Sequence, residues 1–284
     1  MPKSVAERFD LSDKVAVITG AGGALCGAMA DALGAAGVKV AVLDIDGEKA
    51  EARARAVVAA GGTAQAFPCD VLDASLLREC CRAVCGRWGA PDFLINGAGG
   101  NHPRGSTSEE FYATDGSADT VERSFFDLEV GDFRGVFDLN FMGAFLTSQA
   151  FAREMIAKGK GAIVNMSSMS AFTPLTKVPA YSAAKAALSN FTQWLAVHFA
   201  HTGVRVNALA PGFFMTEQLK FLHIDRETGE LLPRAQKVIA HTPMGRYGQP
   251  DDLVGPLVWL LSDASSFVTG VVVPIDGGFS SYTI

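Results

Sequence analysis

Short apolar runs recur along the chain, and most are followed by a stretch of mixed polarity long enough for a helix. Lys14–Thr19, Val38–Leu43, Thr63–Phe67, Asp92–Asn96, Gly161–Ser167, Gly203–Leu209 and Val271–Asp276 read as about seven strands. Several are apolar at nearly every position, as strands covered on both faces are. Helices are predicted from the Gly-rich turn after Thr19 to Ala36, and over about Asp73–Arg87, Asp132–Lys158, Ala180–Phe199 and Pro250–Leu261. Pro250 suits the first turn of the last of these. Regular alternation of this kind predicts an α/β fold, a parallel sheet with helices on both faces. No repeat, low-complexity tract or linker interrupts residues 1–284, so one domain is expected. Pro274 places the final strand at a sheet edge, where a missing N–H is tolerated.

The rhythm fails twice. Residues 100–131 include Asn101-His102-Pro103-Arg104-Gly105-Ser106-Thr107 and Asp115-Gly116-Ser117, both polar and turn-forming, and residues 213–243 are irregular and rich in charge. Long loops inside a compact α/β domain are usually functional. Both follow strands whose C-terminal ends border the crevice where open α/β sheets bind ligands. They are expected to form the two halves of a substrate cover.

Composition narrows the function. The 284 residues are 49% hydrophobic, ample for a large core, and the net charge of −6 argues against nucleic-acid binding. No apolar run approaches the ~20 residues of a membrane span, and the first ten residues lack the apolar core of a signal peptide. A soluble, cytoplasmic protein is expected. Of five cysteines, Cys80, Cys81 and Cys85 crowd one helix, Cys26 falls in a loop and Cys69 at a strand end. The odd count without a Cys-x-x-Cys pair favours free thiols. His198 and His201 lack a nearby acidic partner, so no metal site is expected.

Two motifs carry chemistry. The first strand breaks at Gly20-Ala-Gly-Gly-Ala-Leu-Cys-Gly27, a helix follows, and the second strand ends on Asp44, twenty-four residues after Gly20. This is the layout of a dinucleotide site. Glycines let the backbone approach a pyrophosphate, the helix N-terminus offers free N–H groups, and the acid holds ribose hydroxyls. Asp44 would repel a 2′-phosphate, and no Arg or Lys follows in Ile45-Asp46-Gly47, so NAD is expected over NADP. In the second motif, Tyr181 and Lys185 are one helical turn apart and Ser168 lies thirteen residues before Tyr181, at the end of a strand. A Tyr titrates near ~10. One positive charge about 4 Å away at an effective dielectric of ~20 contributes roughly 4 kcal/mol, about three pKa units. Lys185 is therefore expected to bring Tyr181 towards neutrality for acid–base catalysis.

With these motifs in place, the chain resembles the short-chain dehydrogenase/reductase family over nearly its full length. The resemblance is carried by Thr19-Gly20, Asp70, Asn96-Gly97-Ala98-Gly99, Asn140, Ser168, Tyr181-Ser-Ala-Ala-Lys185, Pro211-Gly212 with Thr216, and Asp276-Gly277-Gly278. It implies a single Rossmann-type, doubly wound parallel sheet and oxidoreduction at a CH–OH group. Tyr181 would exchange the alcohol proton, Ser168 would hydrogen-bond the reacting oxygen, and Lys185 would act on Tyr181 and hold the nicotinamide ribose. Asn140 would keep a proton-relay water. Cofactor contact is implied for Gly20, Gly22, Gly23, Ala24, Leu25, Asp44, Ile45, Asp70, Val71, Asn96, Gly97 and Ala98, and for Tyr181, Lys185, Pro211, Gly212, Phe214 and Thr216. The chain departs from the family's Thr-Gly-x-x-x-Gly-x-Gly loop at Ala24 and Cys26, and has Asn96-Gly97 in place of Asn-Asn.

Residues 96–103, 172–179, 211–218 and 241–246 look like the bacterial sugar-acid subgroup known as D-mannonate oxidoreductases or fructuronate reductases. That implies D-fructuronate and D-mannonate as the substrate pair. A sugar acid needs a cation and several hydrogen-bonding groups. Asn101, His102, Arg104, Ser168 and Lys177 are the leading substrate-binding candidates, with Thr176, Glu217, Gln218 and Lys220 nearby. A gluconate, polyol or ketoacyl reductase, or a nucleotide sensor without catalysis, are the alternatives. The family pairs its long helices across a two-fold axis, which implies a dimer or homotetramer with Phe141, Phe145, Phe151 and Trp194 as contact candidates.

Overall fold

In the computed structural model, which describes residues 3–112, 122–216 and 228–283, seven strands lie side by side. They are β1 (Val15–Thr19), β2 (Lys39–Asp44), β3 (Thr63–Pro68), β4 (Phe93–Asn96), β5 (Gly161–Met166), β6 (Val204–Pro211) and β7 (Val272–Ile275). The order is β3-β2-β1-β4-β5-β6-β7, and every neighbouring pair is parallel. The chain winds outward from β1 in one direction and from β4 in the other. The crevice between their C-terminal ends is the switch point where such sheets bind ligands. β7 is an edge strand, as Pro274 predicted.

β1 is buried at all five positions and shows why a continuous apolar run suits the centre. Ala16 and Ile18 face a core shared with α2 (Ala24–Ala35), α3 (Gly47–Ala59) and, nearer the chain's end, a helix at Val254–Leu261. Val15 and Val17 face the opposite core, against α4 (Ala74–Trp88), Phe151 and Leu195. Each fully buried side chain such as Ile18 or Leu94 contributes about 1.5–3 kcal/mol. Asp46 and Asp73 cap α3 and α4 through their carboxylates, whereas Gly23 at the start of α2 supplies no side-chain cap. The first N–H groups of α2 are thereby left open at the crevice.

Several elements differ from their predicted form. The expected helix 132–158 is two, α5 (Val130–Asn140) and α6 (Met142–Lys158), parted at Phe141. The Asn140 amide donates to the Val136 carbonyl at 2.8 Å, a local bond that competes with the helical ladder. Residues 213–243 contain α8 (Pro233–Ala240), which starts on a proline and buries Ala235 and Val238. Pro250–Leu261 divides into a 3₁₀ turn at Pro250–Leu253 and α9 (Val254–Leu261). Cys26 lies in the first turn of α2 rather than in a loop, because the helix starts at Ala24. A short α1 (Val5–Phe9) and α3 were not predicted, while α7 (Pro179–His198) was.

Candidate active site

At the end of β1, the Thr19 hydroxyl accepts hydrogen bonds from the backbone N–H groups of Gly97 (3.0 Å) and Ala98 (3.1 Å), which binds the exits of β1 and β4 together. Gly20 turns with φ +67°, a conformation only glycine adopts cheaply. Gly22 donates to Asp44 Oδ2 at 2.9 Å, and a Cβ on Gly22 would lie 2.9 Å from that same oxygen. Ala24 and Leu25 form the open first turn of α2 beside Gly23. The departures at positions 26 and 97 are one contact. The buried Cys26 thiol occupies the space a side chain at Gly97 would need. Desolvation pushes that thiol up to about 12, so it is neutral packing.

These residues fit a dinucleotide. Among the described residues Asp44 takes hydrogen bonds only from the N–H groups of Gly22 and Asp46, and Ile45 beside it is 74% exposed, an apolar platform for a flat base. Asp70 is half-buried at the next strand exit, its carboxylate accepting from Leu72 N at 2.9 Å, and Val71 is buried against Gly143. Asn96 donates to Ser148 Oγ (2.9 Å) and Asn165 Oδ1 (2.8 Å), while its own buried Oδ1 has no protein partner. Pro211 ends β6, and a Cβ on Gly212 would collide with Asp276. The Phe214 ring is buried in the core against Gly248, which leaves its main chain for the expected cofactor contact. Thr216 is half-buried at the end of the same segment.

The proton-transfer group assembles across β5 and α7. Tyr181 is in the first turn of α7 and Lys185 one turn on, with Lys185 Nζ 5.5 Å from the Tyr181 ring centre. Ser168 is buried, and its hydroxyl accepts from Ser170 N at 3.2 Å. The electrostatics correct the expectation for Tyr181. Burial raises its pKa, a hydrogen bond with Ser168 offsets part of this, and the phenol stays protonated at neutrality. Lys185 is itself desolvated to about 8, and its ammonium donates to the Met166 carbonyl at 2.7 Å. Desolvation of the phenol is thus the larger influence on Tyr181, and the Ser168 hydrogen bond works against it.

Asn140 is buried in the break between α5 and α6. It donates to Gly100 O at 2.7 Å and accepts from Gly100 N at 3.0 Å. Gly99 lies where Asn140 and Lys185 converge: a Cβ there would be 2.6 Å from Asn140 Oδ1 and 3.2 Å from Lys185 Nζ. Sequence reasoning gave no positioning role to Gly99, nor to Ser167, whose hydroxyl meets the Lys185 carbonyl (3.2 Å) and Ser189 Oγ (2.7 Å). It also missed the buried chain in which Asn165 donates to Thr192 Oγ1 at 2.9 Å, linking the Asn96 strand end to α7. The only local signal was polar residues inside runs otherwise fit for the core.

The substrate candidates on the cover have defined partners. Asn101 donates to Ser106 Oγ at 2.9 Å, and His102 Nδ1 accepts from Arg104 N at 3.2 Å, capping the 3₁₀ turn Pro103–Gly105. Arg104 is exposed and paired with Asp132 at 3.4 Å. Lys177 donates through Nζ to the Ser108 carbonyl. Glu110 and Lys237 pair at 3.2 Å, joining the two cover segments. Glu217, Gln218 and Lys220 lie outside the described residues, as do residues 113–121 of the first segment.

Comparison with known proteins agrees with this geometry. A family model described as enoyl-(acyl carrier protein) reductase matches residues 20–280. The chain is 52% identical over 275 residues to the uncharacterized oxidoreductase UxuB of Bacillus subtilis (strain 168), covering 96% of this chain and 97% of that one. It is similar to a crystal structure from Haemophilus influenza, provisionally assigned as a D-mannonate oxidoreductase, with bound NAD: TM-score 0.93, 45% identity, 99% of both chains. It is also 34% identical over 277 residues to D-threitol dehydrogenase of Mycolicibacterium smegmatis (strain ATCC 700084 / mc(2)155), covering 98% of this chain and 96% of that one.

Proposed function

The chain belongs to the short-chain dehydrogenase/reductase family, and from that premise we propose that it is an NAD-dependent oxidoreductase interconverting D-fructuronate and D-mannonate. The family membership makes it an oxidoreductase acting on alcohol and carbonyl groups. The sugar-acid reading is carried by one observation, the likeness at 45% identity over 99% of the chain to the protein assigned as a D-mannonate oxidoreductase. Asp44, with no cation among its hydrogen-bond partners, supports NAD, whose ribose diol it would accept.

The bound cofactor would carry the hydride. The open N-terminus of α2 would face its pyrophosphate, and the unpartnered Asn96 Oδ1 is an acceptor at the inner end of the crevice. Tyr181, protonated at neutrality, is in the state required of the acid that donates to a ketone oxygen during reduction. Ser168 would hydrogen-bond that oxygen. Lys185 and Asn140, converging at Gly99, would hold the ribose and the path by which the proton on Tyr181 is renewed. The exposed Trp194 and the half-buried Phe145 and Phe191 support pairing of the α6–α7 face with a second copy, while Phe151 is wholly in the core. Five free thiols suit a cytoplasmic location.

Loss of nicotinamide absorbance with D-fructuronate and NADH tests the reading. Turnover that falls ~10³-fold in Tyr181→Phe supports it. Activity on D-threitol without activity on either sugar acid would replace it with the neutral-polyol reading, which the 34% identity to D-threitol dehydrogenase favours.

A further inference from the structure

Only two non-glycine residues among those described have positive φ, Asp13 and Lys177. An Asp in a turn adopts this conformation readily, but a lysine at φ +72° is strained. Such strain persists where surrounding structure holds it and collects at functional sites. Lys177 lies nine residues after Ser168 and four before Tyr181, on the segment that connects them. Its carbonyl accepts from Thr107 N at 2.9 Å and its ammonium donates to the Ser108 carbonyl. The strained residue thus grips the first cover segment with both main chain and side chain.

Its charge is also uncompensated, unlike those of three other cations on and near the cover. Arg104 faces Asp132, Lys237 faces Glu110 and Arg246 faces Asp252. Among the described residues Lys177 has no carboxylate partner, only a neutral carbonyl. An ammonium carries three N–H donors. One is occupied by Ser108, and two remain for an anion. Arg123, which closes on the Pro103 carbonyl at 2.8 Å, is also without a carboxylate, but it lies within the cover segment rather than on the segment that connects Ser168 to Tyr181.

We propose that Lys177 is the receptor for the substrate's carboxylate, held in its left-handed conformation so that the cation stands at the seam between the cover and the Ser168–Tyr181 segment. This rests on the sugar-acid reading and deepens it. It makes the enzyme selective for acids over neutral polyols through a single charge-assisted contact. The Ser108 carbonyl orients the ammonium before substrate arrives. Lys177 is a specificity residue, and proton transfer stays with Tyr181.

Lys177→Gly separates the roles, because glycine accepts the backbone conformation at no strain while removing the cation. Measured with NAD, kcat/KM on D-mannonate should fall at least ~30-fold more than kcat/KM on D-threitol, the scale of losing one partner of a desolvated charge pair. The melting temperature should not fall, and Lys177→Arg should recover part of the preference for the acid. Equal losses on both substrates, or a selective loss in Arg123→Met instead, would overturn the assignment while leaving the sugar-acid reading in place. A wild-type enzyme that oxidises D-threitol, and neither turns over nor is inhibited by D-mannonate, would remove both.

Discussion

The strand-end site and the cover that faces it are built in opposite ways. Thr19, Asn96, Asn140, Ser168 and Lys185 are all buried and, apart from the orphaned Asn96 oxygen, bonded from more than one element. Lys185 shows the pattern, gripped through Nζ by Met166 and through its carbonyl by Ser167. The described part of the cover is joined to the body by the two Lys177 contacts and by Arg104–Asp132, and to itself by Arg123–Pro103 and Lys237–Glu110. The cations of both ion pairs are exposed, and Phe111, Phe125 and Phe126 are open to water. Exposed ion pairs contribute ~0–1 kcal/mol each. The catalytic candidates thus sit where buried contacts from several elements hold them, and the substrate-binding candidates where exposed cations carry much of the joining.

The largest expected break in that contrast is Lys185→Met. Activity should fall ~10³-fold or more as the Tyr181–Lys185 pair is lost. Stability supplies an independent readout. Burial holds the folded pKa of Lys185 at about 8 against an ordinary 10.5, so between those values the unfolded chain binds the extra proton and the folded chain does not. Wild-type stability should therefore rise with pH across about 8 to 10.5, by up to ~3 kcal/mol from this residue. Lys185→Met should lack that rise. Denaturant titrations at pH 7 and pH 10 compare the slopes, and an equal rise in both proteins would show that the ammonium is not desolvated.

Gly99→Ala comes next. The added Cβ would lie 2.6 Å from Asn140 Oδ1 and 3.2 Å from Lys185 Nζ, so one or both must move. A displacement of about 1 Å costs on the order of 10²-fold in rate. The fold should remain intact by near-ultraviolet circular dichroism. Ser167→Ala is milder. It removes the hydroxyl between the Lys185 carbonyl and Ser189, unmaking two hydrogen bonds, one of them only part-buried. A loss of ~1–2 kcal/mol in stability and about tenfold in kcat is expected, with KM for NAD nearly unchanged. A rate equal to wild type would reduce Ser167 to packing.

The same contrast governs what could be read from the chain. The seven strands were legible because a parallel sheet buries both faces and writes each strand as a local apolar run. Gly20, Asp44, Tyr181 and Lys185 were legible because turn chemistry and helical spacing are local as well. The break at Asn140 was not, since it depends on the side chain's bond to the carbonyl four residues back and on Gly100, forty residues away. Nor was the Asn96–Asn165–Thr192 chain, whose links span 69 and 27 residues. The direction of the Tyr181 shift was misjudged for the same reason. Spacing brings Lys185 near, but only tertiary packing decides how far both groups are desolvated. α3 escaped notice because its buried face is made of Ala50, Ala54 and Val57, too small to write a strong stripe.

The smallest effect belongs to the Lys237–Glu110 pair, and it tests whether the cover acts as one piece. The two residues lie 127 positions apart, on α8 and on the first cover segment, and meet at 3.2 Å with the lysine side chain 74% exposed. A pair this open contributes little to folding, so Lys237→Met should leave the melting temperature within measurement error. If the pair helps hold the two halves together over substrate, the variant should raise KM two- to threefold while kcat stays constant. Salt gives the decisive control, because screening weakens exposed pairs and the Debye length contracts from about 10 Å at 0.1 M to about 3 Å at 1 M. The wild-type KM should rise towards the variant's as salt is added, and the variant's own KM should respond less. Parallel salt dependence in the two proteins would mean that the halves close independently of this contact.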